Sequence, residues 1–334
     1  MYVLKDNILR CLLENQNGVV TGGELAKKFG VSRTAVWKAI GALKGEGTEI
    51  EVLRNSGYRL IEPGDALSEC RIRASLNARV FGSLVEILGT TVSTSGYIKD
   101  KAVREGASLP EGFAVLAEEQ TGGRGRFGRS FACERGQGVY LSFLLRPSIP
   151  VEEAPFLTIC AAVAVSNALC AVCGFEPRIK WVNDIYYDDR KLCGILTEAV
   201  ISAEAGAFES VVIGIGVNTG RLPEGAGGAA ISVAEITGKT GFRNALAAEI
   251  LNRFEKTYTD FTRHDGRQAI LRDYASRQCV LGRRVTVLAP GFESYEATPE
   301  RIDEAGRLVV VKDDGTRVSL NSGEVSLKMG GTSK

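Results

Sequence analysis

Between Ala154 and Val172 the chain reads APFLTICAAVAVSNALCAV, a helix-like run with almost no polar face. A helix that is apolar all round must be buried all round, so this stretch demands covering layers from the rest of the chain. Nowhere do 18 consecutive apolar residues occur, which predicts a core helix and no membrane span. The segments around it supply the cover. GFAVLAEEQ and VYLSFLL precede it, and PRIKWVNDIYYDD, RKLCGILTEAVI and ESVVIGIGVNT follow it, each with the apolar run or alternation of a strand. Residues 65–277 are therefore predicted to form one mixed α/β domain. The chain has 334 residues, 44% of them hydrophobic, which is enough for two or three domains.

The ends of the chain read differently. Val3 to Leu13 has helical spacing, and Thr21-Gly-Gly-Glu24 has the form of a capping box opening a second helix that Gly30 ends. Ser32 caps a third helix that buries Val36, Ile40 and Leu43 and offers Arg33, Thr34 and Lys38 on its other side. A hairpin around Asn55-Ser56-Gly57 follows, so residues 1–62 are predicted to be a winged helix-turn-helix. In that fold Arg33, Thr34 and Lys38 would face base edges, while Arg54 and Arg59 would reach phosphates. Nine basic residues against seven acidic ones is a weak surplus in this unit, so a protein-interaction module of the same fold stays open. IEPGDALS is a short linker, and residues 278–330, with short alternating strands and turns such as Asp314-Gly315, are predicted to be a small β-barrel-like domain. The fold class is α+β multidomain.

Several chemistries are disfavoured. The start of the chain lacks the apolar run of a signal peptide, and a cytoplasmic protein is expected. Eight cysteines are expected as reduced, half-buried thiols. The one pair Cys170-x-x-Cys173 has no second pair, and the single histidine, His264, argues against zinc and against a Ser-His-Asp mechanism. Lys plus Arg is 41 and Asp plus Glu is 40, so any polyanion must meet a local patch. The densest patch is QTGGRGRFGR, Gln120 to Arg129. Its Gly123-x-Gly125-x-x-Gly128 spacing matches a dinucleotide turn, but bulky arginines fill the gaps and a strand follows, so a mobile anion clamp fits better than a phosphate turn; a solvated basic loop is the alternative. Ser93-Thr94-Ser95, Gln120, Lys180 to Asp184, Lys191 to Ile195 and Gly216-Val217-Asn218 complete a set rich in cations and poor in nucleophiles. Such a set suits a reaction whose substrates bring the nucleophile and whose protein aligns two anions.

The order Ser-Thr, Gln-Thr-x-Gly-Arg-Gly-Arg-x-Gly-Arg, Lys-Trp-x-Asn-Asp, Lys-x-x-Gly-Ile and Gly-Ile-Gly-x-Asn resembles the biotin protein ligase family. The helix-turn-helix in front and SGEVSL near the end resemble its bifunctional bacterial branch, which also represses biotin genes. The resemblance covers nearly the whole chain and implies a ligase-type central domain, an SH3-like C-terminal domain, and biotin, ATP and Mg²⁺ as reactants and cofactor. It implies a biotin carboxyl carrier domain and operator DNA as partners, and a homodimer when the adenylate is bound. Biotin contacts would come from Ser93, Thr94, Ser95, Gln120, Arg124, Gly125, Arg126, Phe131, Lys191 and Gly194, and ATP contacts from Arg126, Asn183, Lys191 and Asn218. Lys191, Arg126 and Asp184 would carry the chemistry, with Asp184 facing Mg²⁺ or the incoming lysine. Val182 and Ser95 depart from the family's proline and asparagine; a looser strand end and one altered biotin contact are the expected consequences. The lipoate-activating relatives, and a repressor with a decayed ligase site, are the alternatives.

Overall fold

The fold rests on a computed structural model that describes residues 2–15, 18–45, 48–54, 56–61, 65–201, 204, 206–222, 227–263, 266–288, 293–321 and 323–327. Asn55, the linker residues 62–64 and His264 lie outside the described residues.

Helices α1 (Tyr2–Glu14), α2 (Gly22–Phe29) and α3 (Arg33–Gly45) precede a hairpin of β1 (Ile50–Leu53) and β2 (Gly57–Leu60). The capping box is formed: Glu24 N–H donates to Thr21 Oγ1 at 3.1 Å and Thr21 N–H to the Glu24 carboxylate at 2.8 Å. Ser32 Oγ caps α3 by accepting from Ala35 N–H at 3.1 Å. Ile8, Leu9 and Leu12 of α1 pack with Leu25, Val36, Ile40, Leu43, Ile50 and Leu60 into one small core. That core takes in Cys70 and Ala74 of α4 (Glu69–Ser75), which follows the linker. Arg10 of α1 donates to the carbonyls of Ala74 and Leu76, so the end of α4 is capped by a side chain of the N-terminal unit.

The central sheet is built from β3 (Val85–Leu88), β4 (Ala114–Ala117), β5 (Gly138–Leu145), β6 (Arg178–Lys180), β7 (Asp184–Tyr187), β8 (Arg190–Ile201) and β9 (Phe208–Asn218). Its order is β3-β4-β5-β9-β8-β7-β6, parallel between β3 and β4 and antiparallel elsewhere. Helix α5 (Thr94–Glu105) lies on one face. On the other lie α6 (Ala154–Cys173), α8 (Arg243–Thr262) and α9 (Arg267–Ser276), after the short α7 (Val233–Thr237). The all-apolar run is thus α6, long and apolar enough to cross a membrane by length and composition but mostly buried inside the protein.

Strand alternation sorts the residues between the faces. Leu141, Phe143, Val211, Ile213, Ile215 and Ile195 point into the α6 side, whereas Leu144 and Val212 pack under α5. Ser142, Gly194, Gly214 and Gly216 fall on the α5 face by the same alternation, and α5 covers only part of it. The uncovered part is where the candidate site lies.

The last domain is a five-stranded antiparallel sheet of β10 (Val285–Leu288), β11 (Tyr295–Ile302), β12 (Leu308–Lys312), β13 (Arg317–Leu320) and β14 (Glu324–Leu327), ordered β13-β12-β11-β10-β14. Its Val285, Leu308 and Val310 join the main core, and Trp181 Nε1 donates to Gly306 O at 3.2 Å. All eight cysteines are free; six are buried, so the expectation of half-buried thiols holds only for Cys170 and Cys279.

Candidate active site

A cavity of about 140 Å³ opens on the α5 face, lined by residues from seven separate stretches of chain. Its floor is the sheet itself. Gly194 of β8 pairs with Gly216 of β9, and Gly214, two residues before it on the same face, pairs with Ser142 of β5. Side chains would close this floor: a Cβ at Gly214 would lie 2.6 Å from Ser95 Oγ, and one at Gly216 would lie 2.7 Å from the Phe131 ring.

One end of the cavity is lined with neutral hydrogen-bonding groups. Ser93 is the N-cap of α5, its Oγ accepting from Gly96 N–H at 3.3 Å, which brings Thr94 and Ser95 to the sheet. Gln120 Oε1 accepts from both the Thr94 N–H (2.8 Å) and its hydroxyl (3.1 Å). Ser142 Oγ sits 2.7 Å from Thr94 Oγ1 and 2.9 Å from Ser95 Oγ, closing a chain of four polar side chains. Gln120 Nε2 reaches Cys133 Sγ at 3.0 Å, and burial pushes the Cys133 thiol up to about 11. No charge stands in this chain, so it suits a neutral ligand with both donors and acceptors.

The other end is charged. Lys191 Nζ lies 2.9 Å from Asp184 Oδ1, both half-buried. Strict alternation would turn Lys191 away from Gly194, since they are an odd number of residues apart. A bulge corrects this: Cys193 pairs with Ile185 and Lys191 with Tyr186, leaving Leu192 as an extra residue in β8. Lys191 thereby faces the cavity, with its Cε and Nζ 3.3 Å from where a Gly194 Cβ would stand. Asn183 is fixed by donating to Ile195 O at 2.6 Å, and its Oδ1 accepts from Arg126 at 3.2 Å.

Arg126 comes from the cationic stretch, which is folded as a hairpin with Gln120 opposite Cys133 and Arg124 opposite Ser130. Phe131 N–H donates to Gly123 O at 2.9 Å and Gly125 N–H to Arg129 O at 2.7 Å. Arg124 is exposed at the cavity edge, and the Phe131 ring lies on the glycine floor between Gly216 and Gly194.

Every expected ligand contact except one lines this cavity: Ser93, Thr94, Ser95, Gln120, Arg124, Gly125, Arg126, Phe131, Asn183, Asp184, Lys191 and Gly194. Asn218 does not. It ends β9 instead of forming a turn, and its amide donates to Ile231 O at 3.2 Å and Lys191 O at 3.5 Å, so it holds the lysine's backbone. Val182 follows a cis peptide bond from Trp181, and its carbonyl accepts from the buried Tyr274 hydroxyl at 2.9 Å, which ties down the strand end expected to be loose. Ser142 lines the cavity without any signal that singles it out in the sequence, while Trp181 and Gly323 line it from the Lys-Trp-x-Asn-Asp and SGEVSL stretches without being among the expected contacts. Among the described residues no group of three or more metal-ligating side chains occurs.

In the N-terminal unit Arg33, Thr34, Lys38 and Arg54 are exposed. Arg59 is held across the hairpin by Glu51 at 2.9 Å, which offsets its charge.

Comparison with known proteins agrees with this geometry. The Biotin/lipoate A/B protein ligase family matches residues 93–218, a helix-turn-helix family matches 5–59, and the Biotin protein ligase C terminal domain matches 280–328. Over 268 residues the chain is 37% identical to the bifunctional ligase/repressor BirA of Bacillus subtilis, covering 78% of this chain and 80% of that one. The chain belongs to the bifunctional biotin ligase/repressor family. The ligase/repressor of Escherichia coli is 29% identical over 330 residues, 97% of this chain and 99% of its own length. Among solved structures, a biotin protein ligase from Aquifex aeolicus in complex with biotin and ATP is similar with a TM-score of 0.63 and 27% identity, covering 74% of this chain and 99% of that one. This ligase/repressor therefore keeps the ligase core and carries the helix-turn-helix in front of it.

Proposed function

We propose that this chain joins biotin to ATP, giving biotinyl-5'-AMP and pyrophosphate, and passes the biotinyl group to a lysine of a carboxylase carrier domain. It also binds operator DNA as a biotin-responsive repressor in the cytoplasm. Residues 1–62 read DNA, 65–277 carry the ligase site and 278–330 contribute Gly323 to its lining. The observation that carries the reading is the placing of Lys191 on the glycine floor, between a neutral hydrogen-bonding end and the Asn183–Arg126 end.

The neutral end, Ser93, Thr94, Ser95, Gln120 and Ser142, matches the donors and acceptors of a ureido ring. Ser95 reaches the ring only in company with Ser142, because their hydroxyls are bonded to each other. The biotin carboxylate then extends toward Lys191. One of its oxygens attacks the α-phosphorus of ATP as the bond to pyrophosphate breaks. Both reactants are anions, and the Lys191 ammonium offsets their repulsion and the charge on the phosphoryl oxygens. Arg126 binds the phosphates from the hairpin, which with Arg124 closes over biotin and the adenylate. Asp184, the carboxylate lining the cavity, would hold Mg²⁺ together with the ATP phosphates, and the ion would neutralise phosphate charge, as fits an ion commonly held by one or two carboxylates and substrate oxygens.

In the second step the carrier lysine attacks the mixed anhydride and AMP leaves. Asp184 orients the amine, being too weak a base to take a proton from a group with pKa of about 10.4. A flat ligand cannot share the floor with the Phe131 ring, so binding requires the hairpin to move, after which it covers the adenylate against water. Specific binding to a two-fold operator calls for two winged helices, hence a homodimer formed when the adenylate orders the central domain. The test is incubation with ATP, Mg²⁺ and either biotin or lipoate. Pyrophosphate release with biotin alone is expected; release with lipoate alone, or with neither, refutes the reading.

A further inference from the structure

The ligase site leaves unexplained the largest exposed apolar side chain of the N-terminal unit. Trp37 stands on α3 with 65% of its surface in solvent. Val36, Ala39, Ile40 and Leu43 pin the opposite side of α3 to the core, so the orientation of Trp37 is fixed outward. Residues 34, 37, 38, 41 and 45 form one exposed stripe at helical spacing with Trp37 inside it. The stripe is open on the C-terminal side of the indole. Gly41, one turn further on, and Gly45 have no heavy atom within 4 Å of where a Cβ would stand, so on that side no side chain stands between the ring and an approaching surface.

Such an exposed indole costs solubility unless something covers it. Its surroundings say what does. Helix α3 carries Arg33, Lys38 and Lys44 and no carboxylate, and it is the second helix of the helix-turn-helix, the one that enters the major groove in this motif. Cations flanking a bare apolar ring match a surface with phosphates at its rims and apolar groups at its centre. In the major groove the apolar groups are the C5-methyls of thymine. The N-terminal unit as a whole carries only nine basic residues against seven acidic ones, so phosphate attraction alone gives it little grip.

We infer that Trp37 is a specificity-determining residue that reads thymine methyl groups in the operator major groove, its indole N–H donating to a neighbouring base acceptor. The inference rests on the operator-binding reading above. Its test begins with full-length protein, biotin and ATP selecting duplexes from a random pool, after which each thymine of the selected duplex is replaced in turn by deoxyuridine. Affinity is measured at one fixed salt concentration for wild type, Trp37→Ala and Trp37→Phe.

Wild type should lose about fivefold or more at one or more positions, the scale of a single mismatched pair. Trp37→Ala should bind the unmodified duplex weaker by a similar factor and lose nothing further on those same replacements, while Trp37→Phe keeps part of the methyl dependence. Adenylate formation and Tm should be unchanged in both variants, since residue 37 lies outside the ligase site. Wild-type affinity in Trp37→Ala, or an unaltered response to deoxyuridine, overturns the inference while leaving the repressor reading in place. If wild type selects no sequence at all, the repressor reading itself fails and takes this inference with it.

Discussion

Replacing Lys191 by Met keeps the aliphatic stem and removes the charge, and the structure sets the size of the expected loss. Two unit charges about 4 Å apart interact by about 4 kcal/mol at an effective dielectric of about 20. Lys191 keeps 33% of its side chain in solvent, so part of that is screened. A loss of about 3 kcal/mol of transition-state stabilisation is left, or roughly 10² in the rate of adenylate formation. The substitution also strands a partner. Asp184 Oδ1 is buried and has the Lys191 ammonium 2.9 Å away, so Lys191→Met should cost about 1–3 kcal/mol of stability as well. The two effects separate in the double variant. Lys191→Met with Asp184→Asn should regain much of the lost Tm but none of the lost rate, since the asparagine removes the stranded charge without restoring the cation. Single-turnover pyrophosphate release, with thermal unfolding in parallel, measures both. A rate within threefold of wild type in Lys191→Met, or a rate that recovers together with Tm, would show that Lys191 serves the fold and not the reaction.

Gly216→Ala places a methyl 2.7 Å from the Phe131 ring and raises the floor, so KM for biotin should rise about tenfold while KM for ATP changes little; equal changes in both would mean that biotin does not lie there. Arg126→Gly removes the bond to Asn183 that anchors the hairpin, and the bound adenylate should dissociate at least several-fold faster; the readout is its half-life on the enzyme and the labelling of lysines on bystander proteins. With its pKa raised by burial to about 11, Cys133 is about 10⁻³ thiolate at pH 8, so iodoacetamide should modify it slowly there and faster as pH rises toward 10. Because Cys133 accepts from Gln120, its modification should abolish biotin-dependent pyrophosphate release, and bound biotin should slow it; rapid labelling at pH 8 contradicts the burial.

Much of the site was legible because its chemistry is written in residue types that a core does not use. Arginines between glycines in QTGGRGRFGR, and a Lys-x-x-Gly after a polar turn, have no packing reason to be there, and both line the cavity. What stayed hidden depends on strand pairing. Ser142 sits in VYLSFLL, where one serine in an apolar strand reads as a tolerated core hydroxyl, and only the register with Gly214 places it beside Thr94. The extra residue at Leu192 is equally silent, because both Leu192 and Cys193 are apolar and buried, yet it decides which face receives Lys191. Asn218 was legible as part of a strand, but its pairing with Gly138 and the donation of its amide to the Ile231 and Lys191 carbonyls depend on the tertiary pairing and have no local signal. The N-terminal unit was legible helix by helix, since caps and periodicity are local signals, whereas the passage of its core into α4 beyond the linker is a tertiary fact.

That passage bears on how a ligase site and a DNA reader can influence one another. The residues that leave the linker are pinned to the catalytic domain by a buried cluster. Arg243, 1% exposed, donates to Asp65 O at 2.9 Å, to the Glu118 carboxylate at 2.9 Å and to Gly138 O at 2.8 Å. Glu118 in turn accepts from Leu67 N–H at 2.6 Å, and Asn244 bonds both Ala66 and Ser68. Glu118 follows β4 and stands two residues before Gln120 at the neutral end of the cavity, while Gly138 opens β5, the strand of Ser142. The same guanidinium thus ties the ends of the strands that carry Gln120 and Ser142 to the linker, and α4, which follows the linker, packs into the core of the helix-turn-helix through Cys70 and Ala74. Coupling between the two sites must be reciprocal: if the adenylate strengthens operator binding by some factor, operator DNA tightens adenylate binding by the same factor. On the proposed reading, consumption of the adenylate by a carrier domain would then loosen the grip on DNA, and the demand for biotin would be reported to the operator by the occupancy of one site.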